Sequence, residues 1–347
     1  MTQHIAVAMS GGVDSSAAAW LLKEQGHRLT GLTLTLFDRD DGNQDAEDAR
    51  AVAEQLGFPH HVLHMASCFR AQVMDRFTAA YEQGQTPNPC VACNRYVKFG
   101  ALLDEARALG AEALATGHYA QISRDAGSGR FLLKKAAHPE KDQSYVLYSL
   151  TQAQLAASRF PLGHLSKAEI RDIALSQGLV SARKRDSQDI CFVPDGDYAG
   201  FMGGYTGKTP EEGDFVDKNG AVLGRHKGII HYTIGQRKGL GIALGEPAFV
   251  CGKDPVTRRV VLGKNEDLFT RKVHLTGVNL LSVDAIHTPM TVTARIRSTH
   301  RGDTATVVMT GADTATVTFD QPQRAVCAGQ SCVFYDGDVV VGGGIIL

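Results

Sequence analysis

The sequence predicts an α/β protein: a parallel sheet flanked by helices, then a small central domain, then a C-terminal β-barrel. Three observations carry that expectation. Apolar strand-like runs alternate with helical stretches up to about residue 200. The first such run, Ile5-Ala6-Val7-Ala8-Met9, breaks into Ser10-Gly11-Gly12 and enters a helix. Beyond about residue 205, glycine becomes frequent and short alternating runs follow one another closely, as in small barrels and sandwiches.

Taken in order, Ile5–Met9 reads as a strand and Ser15–Gln25 as a helix. Leu29–Phe37 is a second strand, and Asp45–Leu56 a helix ended by Gly57. His60–Met65 is a third strand, followed by a helix over Lys98–Leu109 and a strand over Leu114–Thr116. This order implies ligands at the C-terminal ends of parallel strands. Thr151 to Gly178 reads as a helical appendage (about 150–180), with a capping box at Ser166 and Glu169. Phe249–Cys251, Val260–Leu262, Val273–Leu275, Thr291–Ile296, Thr304–Met309, Thr314–Phe319 and Cys332–Tyr335 read as strands. The expected domains are 1–204, 205–270 and 271–347.

With 347 residues, 43% of them hydrophobic, the chain can bury one large core and one or two smaller ones. The N-terminus shows no charged-then-apolar leader and the chain no 18-residue apolar span, so a cytoplasmic location is expected. Seven cysteines are an odd set, too sparse for a disulfide scaffold; they read as core thiols, metal ligands or redox catalysts. A net charge of −1 excludes a molecule-wide field for nucleic acid, so any such binding needs local patches.

Ser10-Gly11-Gly12-Val13-Asp14-Ser15-Ser16 has the makings of a phosphate cradle. Glycines let backbone N–H groups approach an anion, and a helix N-terminus adds partial positive charge. It lacks the Gly-Lys-Ser/Thr ending of a P-loop and the spaced glycines of a dinucleotide fold. Asp14, in the first helical turn, can hold a magnesium ion bound to phosphates. The string resembles the pyrophosphate-loop (PP-loop, adenine nucleotide alpha hydrolase-like) family, which splits ATP into AMP and pyrophosphate to adenylate a carbonyl oxygen.

Thr86-Pro87-Asn88-Pro89-Cys90-Val91-Ala92-Cys93-Asn94 places two prolines before a Cys-x-x-Cys, which holds the chain extended and fixes the thiols. A zinc half-site and a thioredoxin-like dithiol are alternatives, but no second ligand pair follows, and a thioredoxin motif would open a helix after the first strand of its fold, which this one is not expected to do. His60, His61 and His64 lie along a strand and read as surface and core histidines. Cys191 lies between Ile190 and Phe192, where a thiol is ordinarily filler; Arg183-Lys184-Arg185 nearby favours a thiolate and a phosphorylated substrate.

These segments are followed by Thr116-Gly117-His118-Tyr119, Lys141-Asp142-Gln143-Ser144-Tyr145, Asp186-Ser187…Ile190-Cys191-Phe192, Tyr232…Gly235-Gln236-Arg237-Lys238-Gly239-Leu240-Gly241 and Gly342…Ile346. In this order they resemble, over essentially the full length, the bacterial tRNA-specific 2-thiouridylases, which thiolate the wobble uridine of certain tRNAs. The resemblance implies that Ala8, Met9, Ser10, Gly11, Gly12, Val13, Asp14 and Ser15 bind ATP phosphates, with Leu34 and Gly117 beside the nucleotide. It implies Cys93 as nucleophile and Cys191 as persulfide carrier, with a Cys93–Cys191 disulfide at the end of the cycle. Lys141, Asp142, Gln143, Arg295, Arg297, Ser298, Gln236, Arg237 and Lys238 match tRNA-contacting segments. Expected partners are tRNA and a persulfide or sulfide donor protein, with no membrane; expected cofactors are ATP and Mg2+.

One departure stands out: many relatives carry Asp where this chain has Cys90. Cys90, Cys93 and Cys191 could together hold a [4Fe-4S] cluster whose open iron binds sulfide. Two basic stretches without carboxylates fit phosphates: Lys218, Arg225, Lys227, Arg237 and Lys238, and then Arg295, Arg297, His300 and Arg301. Alternatives are a PP-loop synthetase that uses ammonia or an amino acid, a non-enzymatic RNA-binding module, and a thiolase for another tRNA base.

Overall fold

The computed structural model describes residues 2–37, 44–184 and 190–347. β1 (His4–Ala8) points Ile5 and Val7 to one side and Ala6 to the other, all fully buried. A strand apolar on both faces needs cover above and below, which is why it sits mid-sheet. α1 (Val13–Glu24) packs Ala19 and Leu22 on the Ile5 and Val7 side. β2 (Arg28–Thr35), α2 (Gln44–Leu56) and β3 (His60–His64) extend the sheet one way. Helical runs over 66–82 and 89–108 then lead back to β4 (Ala113–Ala115), on the other side of β1. The reversal between β1 and β4 opens a crevice at their C-terminal ends.

β5 (Gln121–Arg124) and β6 (Phe131–Lys134) form a hairpin, and β7 (Ser158–Arg159) completes a parallel sheet of order β3-β2-β1-β4-β7. The stretch expected as a helical appendage therefore also supplies a strand, between helices Gln152–Ala156 and Lys167–Ser176. Both helices carry capping boxes, at Thr151 and Gln154 and at Ser166 and Glu169. Four strands follow: β8 (Gly213–Val216), β9 (Val222–His226), β10 (Phe249–Asp254) and β11 (Arg259–Gly263). They surround Phe215, Tyr232, Val250, Val260 and Leu262.

The last region runs antiparallel: β12 (Phe269–Leu280), β13 (Met290–Arg295), β14 (Asp303–Met309), β15 (Ala315–Arg324), β16 (Ser331–Asp336) and β17 (Val339–Ile346). β12 pairs with both β15 and β17, which closes a barrel. The hairpin β5–β6 joins it where Lys134 meets Val339. β17 was not anticipated, because Gly342-Gly343-Gly344 does not read as a strand. Its glycines are needed for close approach: a Cβ on Gly342 would lie 2.3 Å from the Asn279 carbonyl oxygen, and one on Gly343 2.7 Å from the Tyr148 ring. Among the described residues no helix is long and apolar enough to cross a membrane.

An ion pair joins the barrel to the α/β region. Arg295 Nη1 donates to Asp142 Oδ2 at 2.9 Å, with side chains 12% and 1% exposed. Asp142 also accepts from the Ala136 and Ser144 N–H groups and the Ser144 hydroxyl. The Arg295 guanidinium lies 4.9 Å over the Tyr335 ring. Direct tRNA contact was expected of Asp142 and Arg295; here they face each other in a buried seam instead. Truncating one partner strands a buried charge, so Asp142→Ala is expected to lower stability by about 3–5 kcal/mol, read by urea denaturation.

Candidate active site

The loop after β1 is shaped for an anion. Gly11 has φ +68°, and a Cβ there would come within 2.4 Å of the Asp45 carbonyl oxygen. Gly12 opens α1 with no side-chain cap, so the first-turn N–H groups are not taken up by a capping side chain. Ser15 and Ser16 turn their hydroxyls onto the Gly12 carbonyl, at 3.1 and 3.0 Å, while Ser15 Oγ accepts from the Ser10 N–H. Met9 and Val13 are buried, so they can serve a ligand only through backbone. Gly117, just after β4, packs on the same turn: its Cβ would sit 2.9 Å from Ser15 N. Leu34, on β2 beside Leu63, flanks the crevice.

Two contacts at this loop had no sequence signal. Lys167 Nζ and the Tyr119 hydroxyl both donate to Asp14 Oδ1, each at 2.7 Å. Lys167 stands 153 residues from Asp14, and reads only as the start of a capped helix. It adds positive charge where phosphates would lie.

The cysteines gather around one helix. Asn88 caps it, its side chain accepting from Cys90 N–H at 3.1 Å, and Pro89 occupies the first turn. The helix therefore starts nine residues before Lys98, where it was expected to begin; the chain is extended at Asn88, as the prolines predict, and the dithiol then opens the helix, which was not expected. Over Cys93–Ala101 the hydrogen bonds run to the fifth residue, a wide turn that sets Lys98 one turn from Cys93. Burial pushes the Cys93 thiol up to about 11, against the pull of Lys98; Cys191, Cys90 and Cys68 push it further up. Cys90 is solvent-accessible, yet enough protein crowds it that desolvation raises its thiol too. Cys68, on the adjoining helical run, was not singled out from sequence.

His118, packed between Phe99 and Phe160 at 5.9 and 6.0 Å, is held neutral, well below its usual range, by burial and then by Lys98. Lys98 is thus the cation acting on Cys93, Cys90 and His118 together. Removing it leaves burial unopposed. In Lys98→Met, Cys93 alkylation at pH 8 is expected to slow about three- to tenfold, its pH profile moving upward, with recovery in Lys98→Arg.

Cys191 is exposed, while Phe192 is buried against Phe69, Phe77 and Phe201 at 5.7, 5.3 and 5.1 Å. That aromatic anchor fixes the backbone beneath an accessible thiol. Arg185, Asp186, Ser187, Gln188 and Asp189 lie outside the described residues. Lys184, expected to favour a thiolate, instead pairs with Asp45 and Asp48 at 2.7 and 2.6 Å. Among the described residues no group of three or more His, Cys, Asp or Glu is arranged to hold a single metal ion.

The basic stretches are partly neutralised by carboxylates that lie outside them, from three to 49 residues away in sequence. Lys218 pairs with Asp267, Arg225 with Asp214, and His300 with Asp303. Gln236 spends its amide on its own loop, on Thr233 N–H and the Lys238 carbonyl, and Gln143 accepts from Tyr119 N–H. Lys141 is half-buried; Arg237, Lys238, Arg297, Ser298 and Arg301 are exposed, the four basic ones without a carboxylate partner among the described residues. The double change Arg237→Gln and Lys238→Gln is expected to weaken tRNA binding and lower the salt slope by about 1–2, whereas Lys218→Gln leaves both near their starting values. Filter binding across a salt series reads both.

Residues 3–195 match the family described as tRNA methyl transferase HUP domain, and residues 200–264 its PRC-barrel domain. Residues 270–346 match the aminomethyltransferase beta-barrel domain. The chain is 47% identical over 355 residues to the tRNA-specific 2-thiouridylase MnmA of Clostridioides difficile, covering 100% of this chain and 98% of that protein. It is 49% identical over 357 residues to the protein of the same name from Lachnoclostridium phytofermentans, covering 99% of each. Among solved structures, the U34-tRNA thiolase NcsA from Methanococcus maripaludis with its [4Fe-4S] cluster aligns with a TM-score of 0.36 and 16% identity, over 58% of this chain and 66% of that one. A likeness that distant carries no residue roles.

Proposed function

Because this chain belongs to the tRNA-specific 2-thiouridylase family and is a tRNA sulfurtransferase, we propose that it adenylates the C2 oxygen of the wobble uridine, position 34, and replaces it with sulfur. The products are 2-thiouridine, AMP and pyrophosphate. A uracil C2 oxygen is a poor leaving group; joined to AMP it becomes a good one.

The N–H groups from Gly11 to Ser15 hold the ATP phosphates, and Lys167 adds charge beside them. Asp14, a hard oxygen donor at that cradle, suits Mg2+, which would neutralise the departing pyrophosphate. The wobble base leaves its stack to reach the crevice. Exposed Cys191 receives sulfur from a donor protein as a persulfide, whose outer sulfur attacks C2 as AMP departs. Cys93, having lost its proton, attacks the Cys191 sulfur. The S–S bond breaks, its electron pair staying on the sulfur attached to C2, and a Cys93–Cys191 disulfide remains for an external dithiol to reduce. The observation that carries this reading is the pairing of an exposed thiol with a buried one beside Lys98, on a helix packed against the loop that flanks the phosphate cradle.

The test is thiolation of an unmodified transcript supplied with ATP and a persulfide source, read as retardation in a mercury-containing gel. Retardation that requires ATP and vanishes when uridine 34 is changed to cytidine is the expected result. Retardation without ATP, or with cytidine in place, would refute the reading.

A further inference from the structure

The barrel loop between β15 and β16, residues 325–330, reaches the segment that leads into the cysteine helix. The Ala328 carbonyl accepts from Thr86 N–H at 2.8 Å, and Gln330 Nε2 donates to the Thr86 carbonyl at 2.8 Å. Both peptide groups of Thr86 are thus held by one loop. The approach is close enough to need glycine: Gly329 has φ +86°, and a Cβ there would lie 2.8 Å from Gln85 Cβ and 3.0 Å from Thr86 N. The loop itself is braced. Ala325 holds a left-handed φ of 55°, its N–H donates to the Leu268 carbonyl at 2.9 Å, and Gly235 of the central region fits against its Cβ with no room for another carbon. A non-glycine residue in that conformation is strained and persists only where its surroundings enforce it.

Thr86 is followed by Pro87, Asn88 and Pro89, and Asn88 caps the helix bearing Cys90 and Cys93. Prolines fix φ, so a displacement at Thr86 passes to the cap with little slack to absorb it. We propose that the 325–330 loop is a positioning latch: Gly329 and Gln330, by clamping Thr86, set where the cysteine helix starts and hence where Cys93 stands. Neither residue touches substrate; they act through Thr86. The inference rests on the reading of Cys93 as nucleophile.

The test compares Gly329→Ala and Gln330→Ala with the unaltered full chain. Gln330→Ala removes a single hydrogen bond and keeps the protein folded even if Gly329→Ala does not. Thiolation turnover is expected to fall about tenfold or more, with KM for ATP and tRNA within about twofold. Alkylation of Cys93, followed by peptide mass spectrometry, is expected to change by about threefold or more, independently of any thiolation. Unchanged alkylation in the folded variants would overturn the latch, and so would turnover within about twofold despite altered alkylation. Failure of the underlying reading shows separately, as a Cys93→Ser enzyme that still thiolates.

Discussion

Cys93→Ser and Cys191→Ser enzymes are each expected to convert ATP to AMP and pyrophosphate in the presence of tRNA while making no 2-thiouridine. The separation follows from the geometry. The phosphate cradle is built from Gly11 to Ser15, Gly117 and Lys167, none of which uses a thiol. In the proposed cycle sulfur transfer needs both thiols, because one carries the sulfur and the other frees it. Loss of either nucleophile lowers product formation by about a thousandfold or more, whereas AMP formed in a single turnover stays within about threefold. Chromatography of labelled AMP alongside the mercury gel reads both. Full thiolation by the doubly altered protein would remove the role of either cysteine.

Gly11→Ala is expected to abolish nucleotide use altogether. At φ +68° an alanine is strained, and its Cβ meets the Asp45 backbone oxygen at 2.4 Å, which cannot swing aside as a side chain would. The loop or α2 has to move, and the N–H groups that open α1, the proposed phosphate donors, move with it. ATP affinity, measured by calorimetry, is expected to fall about a hundredfold or more, carrying AMP formation and thiolation down together. The contrast with the cysteine variants locates energy supply and sulfur transfer in different parts of one crevice.

Much of this site was legible before the structure because its logic is local. A Ser-Gly-Gly between an apolar run and a helix predicts a tight turn with free N–H groups, and Gly11 shows why the residue has to be glycine. The prolines predict an extended approach to the thiols, and Asn88 is extended, but the helix that opens at Pro89 was not part of that reading. What escaped was tertiary. Lys167 reaches Asp14 across 153 residues, and Cys68 approaches Cys93 because two helical runs pack together.

The charge runs misled for the same reason. Lys218 and Arg225 have no acidic neighbours between Lys218 and Gly245, yet Asp267 and Asp214 come to them in space. Asp142 and Arg295 sit in segments that resemble RNA contacts, and folding turns them on each other. The fold classes of the three regions were readable from periodicity. The short strands β5 to β9 were not: β5, β6, β8 and β9 span only four or five residues and β7 two, too few to show a period.

The central claim is that ATP makes a nucleobase oxygen leave. A transcript carrying oxygen-18 at C2 of its wobble uridine tests it directly, by mass spectrometry of the AMP released in a single turnover. The heavy atom is expected in the AMP phosphate, one per 2-thiouridine formed. AMP without the label, alongside thiolated tRNA, would contradict the account.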